Sequence, residues 1–159
     1  MERPRGPIDD PQWPADVTPR LFDGSDRAIH DWNNCYNDAF AEHYHGVIST
    51  PEVCRAVISR PEADPTGLLL AYRGGECVGF CRNDRHVGRG EISILGVKKS
   101  ARGIGLGRAL LRWGVRWLER KDVPRVTLGV DGENENALHL YRSEGFETVR
   151  TREVWSLRV

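Results

Sequence analysis

No uninterrupted apolar stretch in the 159 residues approaches the roughly 18 residues a spanning helix needs. The proline-rich start also lacks the apolar core of a secretory signal. A membrane-spanning chain is therefore not expected, and a cytoplasmic location is. Cysteine is sparse: Cys35, Cys54, Cys77 and Cys81 have neither Cys-x-x-Cys spacing nor the density of a disulfide framework, so reduced thiols are expected. His43 and His45 could share one strand face, but the pattern around them is helical and no third ligand stands near, so no metal is expected. Net charge is lacking too. The 23 Lys+Arg balance 23 Asp+Glu, which removes the overall basicity of a nucleic-acid binder.

What remains is an ordinary globular composition, 39% apolar and 29% charged, in a chain of one-domain length. The balance conceals segregation, because Arg82 to Arg125 holds twelve basic and four acidic residues. A basic half and an acidic half suit a polyanion on one side and a cation on the other. Residues 1–16, with Pro4, Pro7, Pro11 and Pro14, read as a disordered lead-in, and residues 17–159 as the folded domain. Val17 to Phe22 reads as a strand, Ala28 to Glu42 and Pro51 to Arg60 as helices, and Thr66 to Arg82 as a hairpin. A strand over Glu91 to Val97 precedes a helix from about Gly105 to Arg120, with Leu106, Leu110, Trp113 and Trp117 on one face. Strand Arg125 to Val130, helix Asn134 to Glu144 stopped at Gly145, and strand Phe146 to Leu157 complete an α/β order without internal repeat.

The most informative segment is Val97-Lys98-Lys99-Ser100-Ala101-Arg102-Gly103-Ile104-Gly105-Leu106-Gly107-Arg108, where a strand passes into a helix. Positions without side chains let a ligand approach the backbone, and free amides at a helix N-terminus form an anion site. Arg102 and Arg108 near the positive helix end cost about 0.3–1 kcal/mol each unless an anion compensates them. Arg108 stands where the third glycine of a dinucleotide fingerprint would fall, and no Gly-Lys-Ser/Thr follows, so dinucleotide and P-loop readings weaken. Arg112, Arg116 and Arg120 continue at i+4 steps as a solvated face.

This Arg-x-x-Gly-x-Gly turn after an apolar strand resembles that of the GNAT (Gcn5-related) N-acetyltransferases. Asn134-Glu135-Asn136-Ala137, Tyr141 and Gly145-Phe146 are similar to a second motif of that family in the expected order. The resemblance spans about residues 17–157. It implies a GNAT fold: a central mixed, mostly antiparallel sheet with a splayed parallel strand pair, flanked by about four helices. It also implies acetyl-CoA as cofactor. Leu95, Gly96 and Val97 would pair with its pantetheine arm, Gly96 marking the bulge that splays the strands. Arg102, Gly103, Ile104, Gly105, Leu106, Gly107 and Arg108 would hold its pyrophosphate, with Asn134, Ala137 and Tyr141 on the second motif.

The reaction implied is direct attack of an amine on a thioester. A lysine-like amine, with a pKa near ~10.4, needs a base at neutral pH, and the leaving thiolate benefits from an acid. Glu91 matches the family's carboxylate, acting through water, and Tyr141 its thiolate-protonating tyrosine. A backbone N–H near Leu95 suits the developing oxyanion.

The stretch 33–43, with 64–71 and 90–92, is similar to the C-terminal, catalytic half of mycothiol synthases, which acetylate a cysteinyl pseudodisaccharide. Gly129 replaces an aromatic residue of that pattern, and no lysine stands between Phe80 and Arg85. An aminosugar antibiotic and a protein N-terminus or lysine remain alternative acceptors. Asp38, Glu42 and Asp131 are the substrate candidates, because acidic residues outnumber basic ones seven to three from Asp26 to Asp64. A non-catalytic acyl-CoA sensor is the rival of another class. The expected partner is a small-molecule amine, without nucleic acid or membrane, and the last strand with Trp155 serves a homodimer edge as readily as a core.

Overall fold

The computed structural model of the chain describes residues 1–42 and 48–152. One sheet of six strands has the order β1-β6-β5-β4-β3-β2. Its strands are β1 (Glu2–Pro4), β2 (Thr18–Leu21), β3 (Leu68–Arg73), β4 (Glu76–His86), β5 (Arg89–Val97) and β6 (Arg125–Leu128). All neighbours are antiparallel except β5 and β6, which run parallel. Helices α1 (Asp26–Ala39) and α2 (Pro51–Ile58) cover one face, and α3 (Leu106–Glu119) with α4 (Glu135–Ser143) covers the other.

Local chemistry sets the helix starts. Ser25 Oγ accepts from the Ala28 amide at the head of α1, Thr50 caps α2 ahead of Pro51, and Asn134 Oδ1 accepts from the Ala137 amide at the head of α4. The buried face of α3 is wider than Leu106, Leu110, Trp113 and Trp117. Leu111, Val115 and Leu118 are wholly buried and Trp113 only partly, each full burial contributing about 1.5–3 kcal/mol.

The parallel pair is splayed. Pairing between β5 and β6 runs only over Gly90↔Val126, Glu91↔Thr127 and Ile92↔Leu128. Immediately beyond, the register of β4 against β5 passes from Asn83↔Ile92 to Arg82↔Ile94, so Ser93 is the extra residue of a bulge. An inserted residue bends the strand that carries it, and β5 leaves β6 at that point. The bulge is thus at Ser93, three positions before the expected Gly96, which lies in regular register opposite Phe80. Gly96 meets a packing need instead: a Cβ there would come within 2.6 Å of the Phe80 ring.

Residues 1–16 differ from a disordered lead-in. Glu2–Pro4 adds an edge strand to β6, and the Met1 amine donates to the Leu128 carbonyl. Arg3, buried, donates to the carbonyls of Glu144 and Pro7 and to Glu119 Oε1. Arg112 and Arg116 hold Asp9 and Asp10, so part of the supposed solvated arginine face of α3 clamps this segment. Apolar periodicity could not signal a docking made by guanidinium hydrogen bonds. At the other end, residues 146–152 contain a single bridge, Glu147 to Glu2, in place of a strand. The rest of the expected strand, with Trp155, lies outside the described residues, as do His43 and His45.

Candidate active site

Between the splayed strands and the α3/α4 face lies a cleft of about 800 Å³. One wall is the corner leading into α3. Gly103 and Gly105 have φ of 78° and 87°, a left-handed conformation that side chains resist. Gly105 caps α3 without a side-chain bond. The backbone N–H groups of residues 103–108 find no acceptor among the described residues, the first helical bond running from Ala109 to the Gly105 carbonyl. These consecutive donors at a helix N-terminus form an anion cradle.

Arg102 and Arg108 line the same cleft, yet neither is an uncompensated cation. Arg102 lies 3.7 Å from Glu42 and donates to the carbonyls of Val97 and Ala39. Arg108 bonds Glu144, which also takes both nitrogens of the Arg112 fork at 3.0 Å. The electrostatic penalty expected from the sequence is therefore met within the fold, and the demand for an anion rests on the amides. Glu144 is 5% exposed at its side chain. Burial alone would raise its pKa, but the hydrogen bonds from Arg112 and Arg108 outweigh that and hold the carboxyl below its ordinary value.

The second wall is the free edge of Leu95, Gly96 and Val97, and the third comes from α4 through Asn134, Ala137, Leu140 and Tyr141. A glycine corner, an opened parallel pair and a capped helix thus converge on one cleft. The Acetyltransferase (GNAT) family model matches residues 26–146. The chain belongs to the GNAT family.

It is 38% identical over 159 residues to a mycothiol acetyltransferase of Streptomyces bingchenggensis, covering 95% of this chain and 51% of that protein. To a mycothiol acetyltransferase of Thermomonospora curvata it is 39% identical, covering 92% of this chain and 50% of that protein. The chain spans about half the length of the curated relatives it matches. Among solved structures it is similar to a GCN5-related N-acetyltransferase from Sphaerobacter thermophilus. The TM-score is 0.74 at 32% identity, covering 91% of this chain and 45% of that one.

The GNAT cleft gathers most residues the sequence singled out. Leu95, Gly96, Val97, Arg102, Gly103, Gly105, Gly107, Arg108, Asn134, Ala137 and Tyr141 line it, together with the acidic candidates Glu42 and Asp131. Leu106 is buried in the core and offers only its amide, while Ile104 is 41% exposed beside the cleft. Asn134 spends its side-chain oxygen on the α4 cap. Asp38 is exposed on α1 and does not line this cleft.

Tyr141 is 8% exposed, with no hydrogen bond engaging its hydroxyl among the described residues. Burial, aided by nearby Cys81, pushes its pKa up to about 12, which keeps it a proton-bearing donor at neutral pH. Glu91 stands apart. Its carboxylate meets His86 Nε2 at 2.7 Å and Arg89 Nη2 at 3.8 Å, and it does not line the cleft. Leu95 stands four positions further along the strand, roughly 13 Å away at about 3.3 Å per residue. Any proton it takes from a group beside Leu95 has to travel through water.

Sequence reasoning missed the opposite sheet face. There a hollow of about 230 Å³ lies between α1, α2 and the bulge, and Trp32, Tyr36, Arg82, Ser93 and Ile94 line it. Arg82 bonds Asp84 at 3.1 Å, and Asp84 accepts from the Ser93 hydroxyl. The available signal was the pair of charges Arg82 and Asp84 at period two on the face of β4 that otherwise carries Phe80.

Proposed function

We propose that the domain is an acetyl-CoA-dependent N-acetyltransferase that acts on a primary amine of a small acceptor in a ternary complex. The observation that carries this reading is the run of acceptor-free amides at residues 103–108, opening onto a cleft that also reaches the free edge of β5 and Tyr141. Acetyl-CoA supplies the acyl group as a thioester. The amides of 103–108 would hold its diphosphate, and the unpaired edge of Leu95 to Val97 would take the pantetheine arm as an added strand.

The chemistry left to this chain is proton management and charge stabilisation. Glu91, through water, takes the proton of the acceptor ammonium so that the nitrogen lone pair is free to attack. A backbone N–H at the opened edge of β5 donates to the oxygen on which negative charge grows. Tyr141 donates from its hydroxyl to the departing sulfur. With a pKa raised to about 12, it steadies the thiolate by hydrogen bonding, and the proton lost by the amine completes the balance. The relatives named mycothiol acetyltransferase support an aminosugar-linked or cationic small amine as the acceptor, and Asp131 and Glu133 at the cleft suit a cation, whereas Glu42 is already paired with Lys99 and Arg102.

Calorimetry with CoA, followed by thiol release over a panel of small amines, aminoglycosides and peptides, tests the reading. Cofactor affinity in the micromolar range with turnover of at least one small amine is the expected result. Binding without turnover anywhere in the panel would favour a sensor of acyl-CoA, and turnover of peptides alone would move the acceptor class to proteins.

A further inference from the structure

The backbone of Glu91 is held on both sides. It pairs with Asp84 of β4 and with Thr127 of β6, two residues before the bulge at Ser93. Its side chain, however, is 35% exposed, and a glutamate in that position samples many rotamers unless a partner fixes it. A base that works through water needs a fixed carboxylate, because proton transfer depends on the placement of the accepting oxygen.

His86 provides that fixation. It stands opposite Arg89 at the end of the β4–β5 hairpin, across a turn made by Val87 and Gly88, with Gly88 at φ of 73°. A turn this short sets the register of the two strands. Glu91 lies two positions beyond Arg89, so His86 reaches it along the diagonal, a span that a ring can cover. Its Nε2 is 2.7 Å from Glu91 Oε2. The looser contact from Arg89 Nη2, at 3.8 Å, falls on the same oxygen. Oε1 makes no hydrogen bond among the described residues. One oxygen is thus anchored, and the other keeps its lone pairs for a water.

The charges around the pair keep it exclusive. Asp84 shares the face of His86 at period two on β4 and stands directly opposite Glu91. Its carboxylate is engaged on the bulge side, by Arg82 at 3.1 Å and by the Ser93 hydroxyl. The His86 ring is left to Glu91.

We propose that His86 is a positioning residue for Glu91: it donates from Nε2 to Oε2 and so presents Oε1 to the water that carries off the acceptor's proton. The role rests on the reading of Glu91 as the base, but the contact is testable without turnover. In long-range proton–nitrogen spectra in alkaline solution, the His86 ring, assigned by its loss in His86→Gln, should carry its proton on Nε2. That preference should weaken in Glu91→Ala. A ring protonated on Nδ1 cannot donate to Oε2 and would overturn the proposal.

Turnover is then measured with acetyl-CoA and the amine of the panel that reacts fastest. His86→Leu should lower kcat about tenfold with KM for acetyl-CoA unchanged. His86→Gln, whose side-chain N–H reaches the place of Nε2–H, should restore most of the rate. In the Glu91→Gln background His86→Leu should cost nothing more, since the two residues act as a unit. Unchanged kcat in His86→Leu, or an equal loss in both backgrounds, would overturn the positioning role and leave Glu91 as the base. Wild-type turnover in Glu91→Gln would overturn the base reading, and the role of His86 with it.

Discussion

The two faces of the sheet hold two hollows built by different means. On the α3/α4 face the binding groups are mainly backbone: the amides of residues 103–108 and the freed edge of Leu95 to Val97. On the α1/α2 face the hollow is lined by side chains, among them Trp32, Arg82, Ser93 and Ile94, drawn from α1, β4 and β5. A backbone site leaves a local trace in sequence, since it needs glycine at left-handed positions and empty space beside them. A side-chain hollow assembled from distant elements leaves only a faint one, here the charged pair Arg82 and Asp84 at period two in β4.

The heaviest blow to one face alone is Gly105→Glu. It forces a side chain into φ of 87° and sets a carboxylate among the amides. CoA affinity should fall by at least about a hundredfold, equivalent to about 2.8 kcal/mol. Gly105→Ala, which carries the strain without the charge, should lose much less, and calorimetry on both separates the two causes. The indole N–H resonance of Trp32, which lies on the other face of the sheet, should not respond to either variant. If it did, the faces would not be independent.

Next in size is Glu144→Gln, behind the corner. Removing one partner of a buried, doubly bonded carboxylate costs about 3 kcal/mol or more, read as a lower urea midpoint at neutral pH. The sign with pH follows from the folded-state pKa lying below the ordinary 4.5. The carboxylate's contribution is fully present above that value and is lost as pH falls through the folded pKa. Wild type and variant should therefore converge in strongly acid solution. A gap in stability that persists at low pH would mean that shape, and not charge, is what Glu144 contributes.

Tyr141→Phe should lower kcat by about 10–100-fold with CoA affinity retained, the pattern of a contact made in the transition state. Glu91→Gln should lower the rate by a similar factor. Since the acceptor must lose a proton before attack, the wild-type rate should rise with pH through neutrality. Tyr141 keeps its proton to about pH 12, so no falling limb from that group is expected in the ordinary assay range. A limb that descends near pH 9 in the wild type and vanishes in Tyr141→Phe would contradict the burial-raised value.

The same contrast explains what the sequence disclosed. The helices, the central hairpin and the corner were legible because caps, apolar spacing and glycine pattern are local. Ser25, Thr50 and Asn134 announce helix starts, and Gly103 and Gly105 announce the turn. The bulge was placed at Gly96 because glycine in a strand suggests irregularity, whereas the extra residue, Ser93, is defined only by the register of its partner strand. The docking of Arg3 depends on carbonyls of Pro7 and Glu144 that come near only after folding. Asp38 shows the opposite limit, since its sequence neighbourhood is acidic but it does not line the cleft.

The smallest expected effect is on the side-chain face. Ser93→Ala removes the hydroxyl that donates to Asp84, a partly buried bond worth about 1 kcal/mol. In a chain of this size that is about 2–4 °C in Tm. The bulge itself should survive, because the inserted residue and not its hydroxyl sets the register, and CoA affinity should hold within about twofold. A large loss of CoA affinity in this conservative variant would show that the bend of β5, perturbed from the α1/α2 side, governs the cofactor cleft as well, and the separation of the faces would give way to a single coupled unit.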